Sequence, residues 1–282
     1  MKPQPKAQVL FDQGSAKGAE DNLIFQPPSY YGVLDGFSGV YLPRDGPRMF
    51  DGRTGGQMAS HIVAEAFAMA TEGELDGILR HANALCAKVF AQGGFTLKDS
   101  AFLPGTCFAV CQVGEEHLEI LQGGDCFAIW QFKDGSIEAT PNRNYSYEKF
   151  LVDTIAQLME KHGSDRNAMW DEFRPILMER RRVCINAKEG GVCVLNGQPH
   201  FENCWQRITL MRDDVAILIL CSDGLVPFEQ TEDFDKLAEY VMNHYHSGKL
   251  RGVLAATRAL AALSRDKTHE DFPEATAIAL EF

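Results

Sequence analysis

The sequence predicts an α+β fold, two packed sheets with helices outside. Two apolar runs carry that expectation, 30–34 (YYGVL) and 216–221 (AILILC), each ending in an Asp-Gly pair, Asp35-Gly36 and Asp223-Gly224. Between them the apolar spacing changes to the helical period over 57–67 and again over 74–92. No repeat, low-complexity tract or linker divides the 282 residues, so a single domain over 1–282 is expected.

In chain order, Val9-Leu10-Phe11 reads as a short strand, followed by a polar loop from Gly14 to Gly18 and a second strand at Leu23-Ile24-Phe25, just after the acid pair Glu20-Asp21. The third strand is 30–34, where Gly36 is expected to bend the chain directly after Asp35. Residues 40–54 then read as a loop, its Pro43, Pro47, Arg44 and Arg48 arguing for a solvent-facing course, with Arg44, Arg48 or Arg53 reaching a bound phosphate as the alternative. Ile62, Val63, Ala66 and Phe67 define one helix, and Leu75, Ile78, Leu79, Leu85, Val89 and Phe90 a second over 74–92. Strand character returns over 100–113 and twice over 117–132, around Gly123-Gly124-Asp125, with a hairpin turn at Asp134-Gly135. Helices are expected over 152–162 and 168–180, strands or irregular connections over 183–196 and 205–211, and then the 216–221 strand. Thr231 reads as the N-cap of a helix through Tyr245, another helix covers 249–264, and Ala275 to Leu280 forms the last strand.

The formal net charge of −12 argues against a nucleic-acid partner, since phosphate backbones call for a basic footprint. No run approaches the roughly 18 apolar residues of a membrane span. The opening MKPQPK lacks the apolar core of a secretory signal, which points to a cytoplasmic protein. The eight cysteines sit mostly inside apolar runs, with no Cys-x-x-Cys pair, and read as buried free thiols in a reducing compartment.

An Asp at the end of a buried strand is held rigidly, and beside a Gly carbonyl it suits a hard divalent cation. The same residues also make an ordinary type I turn. Two such strand ends facing one another across a sandwich would make a shared acidic site. Cys107 and Cys111 lack the Cys-x5-Arg loop of a cysteine nucleophile, and Ser222 lies near an acid without an evident base.

Glu20-Asp21, Leu34-Asp35-Gly36, Gly105-Thr106, Gly124-Asp125, Ser222-Asp223-Gly224 and Ala275-Thr276-Ala277-Ile278-Ala279-Leu280 stand in the order found in the PP2C family, and over almost the whole chain the sequence resembles a divergent member. That resemblance implies a four-layer α-β-β-α sandwich of two mainly antiparallel sheets and a metal-dependent serine/threonine protein phosphatase. It also implies two Mg²⁺ or Mn²⁺ ions, a phosphorylated protein as partner, no membrane, and a monomer. The metal ligands implied are Asp35, bridging both ions, the Gly36 carbonyl, Asp223 and Glu20, with Asp125 near the metals helping to hold a water. A hydroxide between the ions would attack phosphorus in line. Lys17 stands where the family often has a phosphate-gripping Arg. Two departures matter. Phe37 replaces a His that can protonate the leaving alcohol, and Pro273 replaces a ligand acid, leaving Asp271 or Glu274 as the substitute. These departures support an alternative, a catalytically weak or inactive regulator that binds phosphoproteins or a partner protein.

Overall fold

Alternation of apolar residues along the strands decides which faces become interior. In this computed structural model, which describes residues 2–15, 18–41, 46–70, 73–187, 191–264 and 272–282, the strands pair into two five-stranded sheets. The first contains β1 (Lys6–Asp12), β12 (Ala275–Glu281), β11 (Val215–Cys221), β8 (Phe127–Phe132) and β9 (Ile137–Ala139), in that spatial order. The second contains β10 (Gln206–Met211), β7 (His117–Gly123), β6 (Gly105–Val113), β3 (Tyr30–Phe37) and β2 (Asn22–Gln26). Every pairing within the two sheets is antiparallel.

Between the sheets lie Tyr31 and Val33 of β3, Ala109 and Cys111 of β6, Leu218 and Leu220 of β11, and Ile278 and Leu280 of β12. The opposite face of the first sheet, with Ile219, Cys221 and Ala277, packs on Leu237, Val241, Tyr245 and Val253 of α5 (Phe234–Ser264). On the other side, Leu34, Phe108 and Val110 pack on α1 (Gly55–Met69) and α2 (Leu75–Gln92) through Val63, Phe67, Leu75 and Leu79. Helices therefore cover both outer faces, giving the expected α-β-β-α layering. Two further helices, α3 (Tyr145–His162) and α4 (Arg166–Cys184), pack on one another. All eight cysteines are buried and unpaired, and no helix among the described residues is long and apolar enough to cross a membrane.

Several local expectations are corrected. Gly36 does not turn the chain. It continues β3, paired with Thr106, and is needed because a Cβ there would stand 2.5 Å from the Gly56 carbonyl oxygen and 2.6 Å from that of Glu20. The described part of the 40–54 loop is not simply solvent-facing. It contains a hairpin of β4 (Met49–Phe50) and β5 (Arg53–Thr54) turning on Asp51 and Gly52, both at positive φ, and Phe50 packs against Phe90 and Phe95. Thr54 then caps α1 reciprocally with Gln57. Helix α3 begins at Tyr145, ahead of the apolar spacing that suggested 152. At α5 the Asp233 carboxylate accepts from the N–H groups of Asp235 and Lys236, while Thr231 bonds Phe228 and Asn142 instead. The expectation of two helices here holds: non-helical backbone at Gly248 and Lys249 divides the 234–264 segment.

Candidate active site

Strand parity places the acids. Asp35 follows Tyr31 and Val33 at even spacing, so it continues the inter-sheet face of β3 at its open end. On β11 the inward residues Leu218 and Leu220 lead to Ser222 and then to a short 3-10 turn, Asp223–Leu225, that carries Asp223. Asp125 lies in the connection where the chain leaves β7 in one sheet for β8 in the other. Gly124 there has φ +77° and a Cβ would meet Cys107 Sγ at 2.2 Å, so the turn must be glycine. These acids line one cleft of about 790 Å³ together with Glu20, Asp21, Phe37, Ser38, Thr54, Tyr147, Arg181 and Glu274.

The acid pair at the start of β2 divides its work. Asp21 is buried and turns into the cluster, its Oδ2 accepting from Ser222 Oγ at 2.9 Å. Ser222 Oγ in turn accepts from the Thr276 N–H at 2.9 Å, tying Asp21 to β12. Glu20 turns toward α1, where its Oε1 accepts from Ser38 Oγ at 2.8 Å and from Thr54 Oγ1. A carboxylate beside a helix N-terminus is favoured by the helix dipole. Glu274 is occupied differently again: its oxygens accept the N–H groups of Glu20, at 3.0 and 2.8 Å, and of Asp21, at 2.8 Å. It therefore fixes the main chain that presents both acids. Lys17 and Asp271 lie outside the described residues.

The cluster is electrostatically tense. Burial pushes the Asp21 carboxyl up to about 6, with repulsion from Glu274 and Asp125 added. Asp35 is raised well above the usual carboxylate range by desolvation and by Asp21, Asp223 and Asp125, and its carboxyl is within hydrogen-bond reach of Asp223. Asp223 opens to the cleft, yet the surrounding protein withholds enough water to push it up to about 7, with Asp125 and Asp21 contributing. Glu148 of α3 joins from the side; burial and Asp125 push it up to about 8. Asp125 Oδ1 is buried without a hydrogen-bond partner. Among the described residues no three His, Cys, Asp or Glu side chains already surround one point as a ligand set. Asp35 and Asp223 face each other as carboxyls sharing a proton do. Like charges concentrated around an orphaned acceptor fit hard divalent cations, which would take the place of that proton.

Asp21 was read from the sequence only as half of the Glu20-Asp21 pair, with Glu20 named as the ligand; Glu148 and Arg181 were not singled out. Asp21 had a signal in the adjacent acid pair, whose two carboxylates both line the cleft but take different partners. Glu148 and Arg181 come from helices whose docking no local pattern records.

No protein-family model and no curated protein matches this chain. Solved structures do. The serine/threonine phosphatase PstP/Ppp of Mycobacterium tuberculosis matches over 99% of this chain and 98% of its own, at 17% identity and a TM-score of 0.57. The serine-threonine phosphatase 2C of Toxoplasma gondii matches over 100% and 96%, at 14% identity and a TM-score of 0.57. The PstP catalytic domain in complex with two manganese ions matches over 98% and 96%, at 17% identity and a TM-score of 0.56. The chain has the α+β sandwich fold of the PP2C-type serine/threonine phosphatases.

Proposed function

We propose that this protein is a phosphatase that hydrolyses phosphoserine and phosphothreonine in proteins, with two divalent cations, Mg²⁺ or Mn²⁺, in the acidic cleft. The observation that carries the reading is the convergence of Asp21, Asp35, Asp125 and Asp223 from separate strand ends into one cleft. Support comes from a fold shared with phosphatases, one of which is described with two manganese ions. Asp35 and Asp223 would hold the cations, with Asp21 and the Gly36 main chain beside them, and Glu20 and Glu274 fixing the approach. Asp271 remains the alternative anchor from the C-terminal side. The cations would neutralise the phosphate and lower the pKa of a water for in-line attack. Asp125, whose Oδ1 is a buried acceptor without a donor, would help to hold a water near the cations. Phe37 supplies no proton to the leaving alcohol, and burial pushes the Tyr147 hydroxyl up to about 12, so it gives up its proton reluctantly. Esters with good leaving groups should therefore be the better substrates.

The test is hydrolysis of p-nitrophenyl phosphate and of a phosphothreonine peptide with Mn²⁺, with Mg²⁺ and with chelator. Turnover of the aryl ester that chelator abolishes is the expected result. Protein inactive on both esters at every cation concentration would instead support the regulator that binds phosphoproteins without cleaving them.

A further inference from the structure

Arg181 of α4 is a buried cation with no carboxylate paired to it among the described residues. Its side chain is only 8% exposed, and among the described residues it forms no ion pair. One hydrogen bond uses its guanidinium, from Nη2 to the Leu103 carbonyl at 3.0 Å. Its Nε is buried without any partner. A guanidinium carries several N–H donors in a rigid fork, and leaving them unmet away from water is costly. A protein of net charge −12 does not lack carboxylates to pair with it. Among the described residues none stands beside Arg181, so its free N–H donors suit an outside anion.

The side chain is also held in place. The Arg181 carbonyl accepts from Ser100 Oγ at 3.1 Å, and the guanidinium carbon lies 4.8 Å from the centre of the Phe37 ring. Phe37 ends β3 two residues beyond Asp35, so Asp35 and the ring beneath the guanidinium are carried by one strand. Both line the same cleft, which Asp35, Asp125, Asp223, Tyr147, Leu177 and Arg181 share. A simple carboxylate ligand would be repelled by the acids. A phosphoryl group, drawn there by divalent cations, would have oxygens left over for a forked donor. We propose that Arg181 is a substrate-binding residue that grips the phosphoryl group of the ester. The proposal rests on the hydrolytic reading above.

The experiment compares the wild type with Arg181→Met, which keeps the stem and loses the charge, and Arg181→Lys, which keeps the charge and loses the fork. Inorganic phosphate is titrated calorimetrically into the Mn²⁺-loaded proteins. KM and kcat for p-nitrophenyl phosphate, and competitive inhibition by phosphate, are measured alongside. Arg181→Met should weaken phosphate binding and raise KM by about tenfold, with Arg181→Lys between, as expected for a lost charge-assisted pair, while Mn²⁺ affinity stays unchanged. Phosphate affinity equal to wild type in Arg181→Met, even with a lowered melting temperature, would make the residue a structural strut and overturn the proposal. If Arg181→Met fails to fold, phosphate affinity in Arg181→Lys equal to wild type overturns it in the same way. Wild-type protein that binds no phosphate also overturns it. If the wild type binds phosphate through Arg181 but cleaves neither ester, the anion site stands and hydrolysis falls. If it cleaves both with unaltered phosphate affinity in the variants, hydrolysis stands and the Arg181 site falls.

Discussion

Glu274 illustrates how one carboxylate can have two readings that experiment separates. It accepts N–H groups from both Glu20 and Asp21, and hydrogen bonds to a charged acceptor contribute about 1.5–3 kcal/mol. Glu274→Ala should therefore lower stability to urea by about 2 kcal/mol even in the metal-free protein. A role confined to metal binding would show no loss until Mn²⁺ is added. Asp35 and Asp223 can be separated in the same way. Because Asp35 faces Asp21, Asp125 and Asp223 together, Asp35→Asn should reduce calorimetric Mn²⁺ affinity more than Asp223→Asn; equal residual affinities would contradict a bridging position for Asp35. At this scale the sequence was informative wherever a residue's strand parity was readable. The strand-end positions of Asp35 and Asp223 followed from apolar runs. The choice between Glu20 and Asp21 needed the phase of β2 against α1, which Ser38, Thr54 and Ser222 settle through contacts distant in sequence.

At the scale of elements, glycines report how closely segments approach. A Cβ on Gly224 would lie 1.6 Å from the Glu274 carbonyl oxygen, so the turn after β11 and the entry to β12 touch backbone to backbone. Gly36 also approaches the start of α1, where a Cβ would lie 2.5 Å from the Gly56 carbonyl oxygen. Gly224→Ala and Gly36→Ala should each destabilise by about 1–3 kcal/mol through overpacking, read as a lower urea midpoint. Both should also weaken Mn²⁺ binding, because each displaces a strand end that bears an acid. Wild-type stability in Gly224→Ala would show that β11 and β12 can separate at no cost. The strands and most helices were legible because alternation and helical spacing are local properties. Both Asp-Gly pairs were visible as well, but the reason for each glycine was not. Gly36 looked like a turn residue and is a packing residue, since what crowds it, the carbonyls of Glu20 and Gly56, lies outside its own segment. The start of α3 was missed for a related reason. Its first turn, from Tyr145, lies against Phe228, whose ring stacks 5.1 Å from that of Tyr145, so the contact that holds the turn is tertiary.

Across the whole molecule, the inter-sheet core and the acid cleft share one space, so folding must concentrate like charges at the open end of an apolar sandwich. The consequence is a dependence of stability on pH. Asp21 titrates near 3.8 when unfolded and is pushed up to about 6 in the fold, chiefly by burial. A carboxyl raised on folding holds its proton better in the native state, so its contribution is complete below pH 4 and is lost as pH rises toward 7. For Asp21 alone that amounts to roughly 3 kcal/mol, and Asp35, Asp223 and Glu148, all raised, act in the same direction. Metal-free protein should thus melt at a lower temperature at pH 8 than at pH 5. This is the reverse of what carboxylates stabilised by ion pairs would give. Divalent cations compete with those protons, so Mn²⁺ should raise the melting temperature more at pH 8 than at pH 5, the cluster then being ionised and free to bind. Replacing Asp21 with Asn should flatten the pH dependence without removing it. Thermal melts at the two pH values, with chelator and with Mn²⁺, check all three expectations. A metal-free melting temperature that rises from pH 5 to pH 8, or a Mn²⁺ shift larger at pH 5, would mean that the four carboxyls do not share the protonated, cation-seeking state on which the hydrolytic reading depends.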